Sequence, residues 1–332
     1  MEFTLDWKLG TSVKYVLNIN NIFYLIFNQL DASRRDLTIN AMFLDIDGVL
    51  YDYFNGADDL SHKRIRFVGD ANDRIREDYL RILRYFRFFA RYGGVHHDQE
   101  TLSAMKTHAN GLKGISGERI WSEMKRILPL KNSVLVVPVM LNEVRLAAHL
   151  GLADEQIDTS EFRLAHSRLF NNNESIEPIT LFSALLKDEN DISRCAKRIR
   201  LSNTEKFIAY FILLNRECSS TSISDLRKKI ALSPSSDQKL MQLYVIEYLK
   251  YVGRGDDVDL IRQWKVPHFP LRGEIVGQRL AKKNNIKHVI DDLRIMWAES
   301  GYQMDVDELI SKIDTVVDNR GFQFKKEYTP VL

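Results

Sequence analysis

Arg76-Glu77-Asp78-Tyr79-Leu80-Arg81-Ile82-Leu83-Arg84-Tyr85-Phe86-Arg87-Phe88-Phe89 is the stretch from which the fold can be read. A helix turns ~100° per residue, so Glu77, Asp78, Arg81 and Arg84 fall within an arc of roughly 120°, and Tyr79, Ile82, Leu83, Phe86 and Phe89 gather opposite. The pattern predicts a helix with an apolar face committed to a core and a charged face that sets carboxylates beside guanidinium groups. A surface Glu77–Arg81 pair, worth a few tenths of a kcal/mol, would explain those charges without any function. The same face could also read a nucleobase edge. Cytosine and adenine each place an amino donor next to a ring-nitrogen acceptor, which an accepting Asp and a donating Arg complement. Uracil and guanine present a carbonyl and an N–H there, and would leave both protein groups unpaired.

Further motifs lie around this stretch, in a fixed order. Arg34-Arg35-Asp36-Leu37-Thr38-Ile39-Asn40-Ala41-Met42 precedes it, followed by Asp52-Tyr53-Phe54-Asn55-Gly56-Ala57-Asp58-Asp59-Leu60, and Ile115-Ser116-Gly117-Glu118-Arg119-Ile120 comes after it. Together with E-D-Y-L-R-I-L-R these resemble the R-R-D-x-T-x-N-A, hinge, E-D-x-x-R-x-x-R and G-E-R-I neck motifs of the class II CCA-adding tRNA nucleotidyltransferases, of the eukaryotic type. The similarity continues through Pro178-Ile179-Thr180-Leu181-Phe182 and Trp264-Lys265-Val266-Pro267-His268-Phe269-Pro270 to Ser300-Gly301-Tyr302-Gln303-Met304, and so covers most of the chain.

The resemblance implies a reaction, tRNA 3′-terminal CCA addition, and a set of roles. Asp78 and Arg81 would template the base, and Arg84 and Arg87 would contact base or triphosphate. Arg34, Arg35 and Asp36 would hold triphosphate and ribose, with Asn40 in the same nucleotide-binding set. Gly117, Glu118 and Arg119 make up the neck motif. The implied partners are the tRNA acceptor end, CTP and ATP, with no DNA and no membrane, in the cytoplasm or the mitochondrion, the nucleus being possible. The family's Mg²⁺ is carried by a G-G-x-V-R-D loop and a following D-x-D, and neither lies upstream of Arg34. No catalytic residue and no metal ligand is therefore expected in this chain, which would keep the nucleotide-selecting half and be inactive alone. A non-catalytic RNA-binding fragment is the second reading.

Composition agrees with a globular protein: 332 residues, 10% aromatic and 28% charged, are enough for two or three units with sizeable cores. Net charge is only +2, yet Lys63 to Arg91 carries nine Lys/Arg against four Asp/Glu, a local excess able to attract phosphates. Two cysteines, Cys195 and Cys218, offer no disulfide framework and no zinc spacing. His96-His97-Asp98 is read as a solvated loop and not as a metal site.

The expected fold is mainly α. A short β-hairpin remnant comes first, with strands over 42–46 and 49–54 about Asp47-Gly48 and a third over 65–68. Helices follow over 72–92, 99–109, 118–128 and 134–149, and on through the remainder. The expected domains are a disrupted segment at 1–33, the end of a nucleotidyltransferase head at 34–68, a helical neck at 69–152, and a helical body and tail at 153–332 that bind tRNA. Within the first, Gly10–Leu30 is rich in residues of AU-rich codons, and Glu2–Leu9 joined to Asp31 makes a better lead into Arg34, so it is expected to be foreign to the fold. One decoy remains. Asp45-Ile46-Asp47-Gly48 resembles the first motif of haloacid-dehalogenase-type phosphatases and Gly69-Asp70 their late metal motif, but 25 positions from Asp45 to Asp70 cannot hold several crossovers of ~30 residues.

Overall fold

The computed structural model describes residues 2–6, 12–16, 29–153, 156–171, 175, 177–217 and 221–325. At the start, β1 (Glu2–Asp6) pairs antiparallel with β2 (Ser12–Val16), Glu2 opposite Val16 and Asp6 opposite Ser12. β2 and residues 29–30 belong to the segment expected to be foreign, whose remainder lies outside the described residues.

The expected hairpin forms from β3 (Met42–Leu44) and β4 (Leu50–Asp52), with Phe43 opposite Tyr51. Both strands stop short of their expected limits because Asp45 draws the chain into the turn: its carboxylate accepts from the N–H groups of Asp47 and Val49 at 3.0 and 2.7 Å and from the Tyr51 hydroxyl at 3.1 Å. Gly48 supplies the left-handed residue the turn needs, at φ 83°. The third strand is corrected to a single bridge, Leu37 with Phe67, since the facing segment leaves extended geometry for a 3₁₀ turn at Thr38–Asn40.

Two carboxylates hold this region to the short helix α1 (Gly56–Ser61). Asp52 accepts from the N–H groups of Gly56 and Ala57 at 2.8 and 2.9 Å. Asp59, fully buried, accepts from the Thr38 hydroxyl at 2.7 Å and from Arg64 and Arg66. A side chain at position 56 is excluded, because a Cβ on Gly56 would lie 2.3 Å from the Thr38 carbonyl oxygen.

The single helix expected over 72–92 is corrected to two, α2 (Ala71–Glu77) and α3 (Arg81–Tyr92). Asp78 is extended, at φ −153°, and its own carboxylate accepts the Leu80 N–H at 3.0 Å. Asp side chains compete with the helix for backbone donors, and the break is wedged by Tyr79, whose ring lies where a Cβ on Gly111 would come within 2.1 Å. The apolar face of α3 is buried as expected, with Ile82, Leu83 and Phe86 at 0–1% exposure and Tyr85 added to it.

α4 (Gln99–His108) is capped by Asp98, and α5 (Gly117–Ile127) begins after Ser116. The helix expected over 134–149 is broken: α6 (Ser133–Pro138) passes into a π turn at Val139–Glu143 beyond Pro138, and α7 (Ala147–Leu150) follows Arg145 at φ 62°. α8 (Ser160–Asn171), α9 (Pro178–Phe182), α10 (Glu189–Ile199) and α11 (Asn203–Asn215) continue the helical chain. Trp121 of α5 packs edge-on to Phe182 and donates to Glu205 at 2.8 Å.

Contacts divide the chain into two units, Met1–Leu214 and Asn215–Leu332. In the second, α12 (Ile223–Leu232), α13 (Gln238–Val252) and α14 (Gly255–Gln263) precede α15 (Gly273–Arg279), α16 (Ile286–Glu299) and α17 (Val306–Asn319). The last three helices enclose a core that includes Val276, Leu293, Trp297, Leu309 and Ile313. Tyr302 brings the later sequence motifs together, its ring 5.9 Å from that of Trp264 and 5.0 Å from that of Trp297. Among the described residues no helix is long and apolar enough to cross a membrane.

Candidate nucleotide-binding site

The break between α2 and α3 gathers the expected base-reading residues at one turn. Arg81 opens α3, and its guanidinium donates to the Glu77 carboxylate at 2.6 Å and to the carbonyl oxygens of Arg74 and Arg34 at 3.1 and 3.2 Å. Three acceptors from separate directions leave this fork little freedom. Asp78 holds Leu80 N–H with one oxygen, and its other oxygen accepts from Arg119 at 2.8 Å. Asp78 and Arg81 thus sit at one turn, each fixed by its own partners.

One turn further along α3, Arg84 reaches back to the first motif. Its Nε donates to Asp36 at 2.5 Å, and Asn40 donates to the other oxygen of that carboxylate at 3.1 Å. Asp36 is 5% exposed. Burial pushes its carboxyl up, but Arg84 and Asn40 outweigh burial and hold it below the ordinary carboxylate value. Arg34 and Arg35 both donate to Asp31, at 2.7 and 2.5 Å, and the Asp31 carboxyl is lowered although burial opposes it. Arg34 keeps a side chain 72% exposed, so its charge faces outward.

Arg87, expected to contact base or triphosphate, is paired with a carboxylate of α5. Its Nη1 donates to both oxygens of Glu123 at 2.8 and 3.0 Å, and Glu123 is 4% exposed. This pair clamps α3 to α5. Of the neck motif, Gly117 is a contact point, since a Cβ there would stand 2.1 Å from the carbonyl oxygen of Arg198; Glu118 is exposed; and Arg119 reaches Asp78. Sequence reasoning missed Asp31, Glu123 and Arg198. Glu123 had a signal: it falls with Ile120, Met124 and Ile127 on the buried face of an amphipathic helix, where a carboxylate requires a cation.

Among the described residues, Asp45 and Asp98 of the acidic motifs already serve the backbone. The Asp45 carboxylate is taken up by two backbone N–H groups and a tyrosine hydroxyl, and Asp98 caps α4 through Thr101 N–H at 2.8 Å. His97 stacks on Phe89 with ring centroids 3.6 Å apart and meets the Tyr85 hydroxyl at 3.1 Å, so this loop residue is part-buried against the core and not solvated as expected. Among the described residues no group of three or more His, Cys, Asp or Glu could hold a metal.

Residues 16–66 match the family described as the poly A polymerase head domain, and residues 94–150 match the probable RNA and SrmB-binding site of polymerase A. The human mitochondrial CCA tRNA nucleotidyltransferase 1 is 38% identical over 94% of this chain and 68% of its own length. A CCA-adding enzyme of Staphylococcus saprophyticus is 32% identical over 56% of the chain and 44% of its own. Among solved structures, the CCA-adding enzyme of Bacillus stearothermophilus in complex with CTP superposes with a TM-score of 0.65 at 18% identity, covering 96% of this chain and 82% of that one. That of Thermotoga maritima complexed with tRNA gives 0.59 at 19% identity, over 96% and 79%. These two show the fold. With the identity to the human protein and the motifs gathered at one turn, they establish that the chain belongs to the class II CCA-adding tRNA nucleotidyltransferases.

Proposed function

We propose that this chain selects C and A and holds the acceptor end of tRNA during 3′-terminal CCA addition, with the base read by Asp78 and Arg81. The observation that carries the proposal is the locked pose of Arg81 beside Asp78, a donor and an acceptor fixed at one turn by separate partners. An amino group of cytosine or adenine donates to Asp78, and the neighbouring ring nitrogen accepts from Arg81. Uracil and guanine would set a carbonyl against the carboxylate and an N–H against the guanidinium.

The outward charge of Arg34 attracts the triphosphate, and Arg35, Asp36, Asn40 and Arg84 frame the triphosphate and ribose. Arg87 acts through Glu123, setting the angle between α3 and α5. The solved relatives are complexes with CTP and with tRNA; ATP is the second nucleotide by the same base-edge chemistry. We divide the chain as head remnant over 34–68, neck over 69–152 and RNA-binding body and tail over 153–332. We place it in the mitochondrion or cytoplasm, the human, mouse and zebrafish relatives being mitochondrial by name.

Enzymes of this family generally use a divalent metal, and we take it to be Mg²⁺. The carboxylates described above do not fit it, so no step of the reaction is routed through them. We infer accordingly that the 332 residues alone add no nucleotide to tRNA. The test is purified chain with a tRNA lacking its 3′ end, Mg²⁺ and labelled CTP and ATP. Addition of C and A would make Asp45 and Asp47 the first suspects as metal ligands. Nucleotide selection is tested apart from chemistry: Asp78→Ala should lower the preference for CTP over UTP in equilibrium dialysis, by ~1–3 kcal/mol for a lost paired contact. An unchanged preference removes Asp78 from the template.

A further inference from the structure

Arg119 stands at the start of α5, and its Nη2 lies 2.8 Å from the Asp78 carboxylate, 41 residues back in the chain. The second Asp78 oxygen accepts the Leu80 N–H at 3.0 Å. A carboxylate offers about four lone-pair sites, so two are occupied and the rest are left for a ligand, in a plane set by the two donors. Without Arg119 the carboxylate keeps one tether and can rotate about it. We infer that Arg119 is the positioning residue of base selection, holding the Asp78 carboxylate in the orientation that accepts the amino group of cytosine or adenine. The inference rests on the base-reading role proposed for Asp78.

Arg119 is itself held in place from two sides. Gly117 lets the first turn of α5 lie against the last turn of α10, with 2.1 Å between an added Cβ and the Arg198 carbonyl oxygen. Arg198 in turn donates to the carbonyl oxygens of Leu112 and Ile115 at 2.8 and 3.3 Å, fixing the segment that enters α5. From the other side the Arg87–Glu123 clamp ties α5 to α3. Ile120 and Met124 are fully buried, anchoring α5 in the core. The neck motif is thereby a device with separate parts: a glycine for close approach, an isoleucine for the core, and an arginine delivered to Asp78. The contrary view is an ordinary surface ion pair, for the side chains of Arg119 and Asp78 are 52% and 33% exposed and such pairs contribute little to stability. The two views differ in what Arg119 does to selectivity.

The experiment is equilibrium dialysis of the 332-residue chain and its Arg119→Ala and Arg119→Lys variants with labelled CTP, ATP, UTP and GTP, with thermal unfolding as the check on fold. Positioning requires the CTP-to-UTP affinity ratio to fall ~10-fold in Arg119→Ala, about 1.4 kcal/mol, with little change in melting temperature. Arg119→Lys should recover part of the ratio, since an ammonium can still donate to Asp78. An unchanged ratio in Arg119→Ala overturns the inference and leaves the base-reading proposal standing. Tighter CTP binding by Arg119→Ala also overturns it, for Arg119 would then be a competitor for Asp78. Equal binding of all four nucleotides by the unaltered chain removes the base-reading proposal and the inference together.

Discussion

Arg81, Arg84 and Arg87 lie at successive turns of one helix face, yet they serve three different neighbours. Arg81 bonds to Glu77, whose side chain is 47% exposed; Arg84 to Asp36 and Arg87 to Glu123, each 6% exposed. The arginines themselves differ less, at 16%, 31% and 15%. What separates them is the partner. Beside a half-exposed carboxylate a guanidinium can be removed at little cost, because water takes its place. Beside a buried carboxylate the same removal leaves a charge without a partner, which is strongly destabilising. The electrostatic load of the row therefore falls on Arg84 and Arg87, whose partners are buried.

The largest effect expected from that difference is at the clamp. Arg87→Ala should lower stability by about 3–5 kcal/mol in urea titrations, because among the described residues Glu123 then keeps Arg126, at 3.5 Å, as its ion-pair partner. A loss under ~1 kcal/mol, the level of a surface pair, would erase the distinction between the two ends of the row. Arg84→Ala should cost about 3 kcal/mol by the same mechanism, and its pH dependence is diagnostic. In the unaltered chain the lowered carboxyl of Asp36 contributes stability above the ordinary carboxylate value, lost as pH falls through the folded value. With Arg84 gone burial dominates and raises it, so the destabilisation should shrink on acidification; an equal loss at every pH above ~4 would mean that Asp36 does not depend on Arg84.

Gly117→Ala tests whether α5 is held as closely as the clamp suggests. A Cβ 2.1 Å from a backbone oxygen cannot be relieved by a side chain moving, so about 1–3 kcal/mol should be lost, with a matching drop in melting temperature. Full stability in that variant would show that α5 can shift, and with it Arg119. Smaller again is the effect of His97. Burial lowers its pKa to about 4, so the neutral ring favours the fold at neutral pH. That contribution is lost as pH falls from the unfolded value near 6.5 toward 4, about 1–2 kcal/mol once partial exposure is discounted. His149 and His166 are lowered too and add slope in the same direction. The difference in slope between the unaltered chain and His97→Phe isolates the His97 share, and identical slopes would place the ring in water. Arg81→Ala, which also leaves the carbonyl oxygens of Arg74 and Arg34 without their donor, should cost about 1–2 kcal/mol, while abolishing base preference in dialysis.

Periodicity and motif order made the apolar face of α3, the hairpin about Asp47-Gly48, the helical character of the remainder and the family legible in the sequence. These are local or repeated signals: a 3.6-residue period, a glycine turn, a short spacing between charged residues along one chain. The break at Asp78 was not legible, because helical spacing is the same whether or not the Asp carboxylate takes the Leu80 N–H from the backbone. Nor was the Glu123 partner of Arg87 legible, since a guanidinium on a charged face looks alike in sequence whatever carboxylate it meets. Partners separated by 36 to 48 residues, Glu123 for Arg87, Arg119 for Asp78 and Asp36 for Arg84, are set by how helices pack. The sequence alone determined which side chains carry the charge; tertiary structure decided which of those charges are buried against a partner and which remain at the surface, because desolvation depends on neighbours that no local pattern contains.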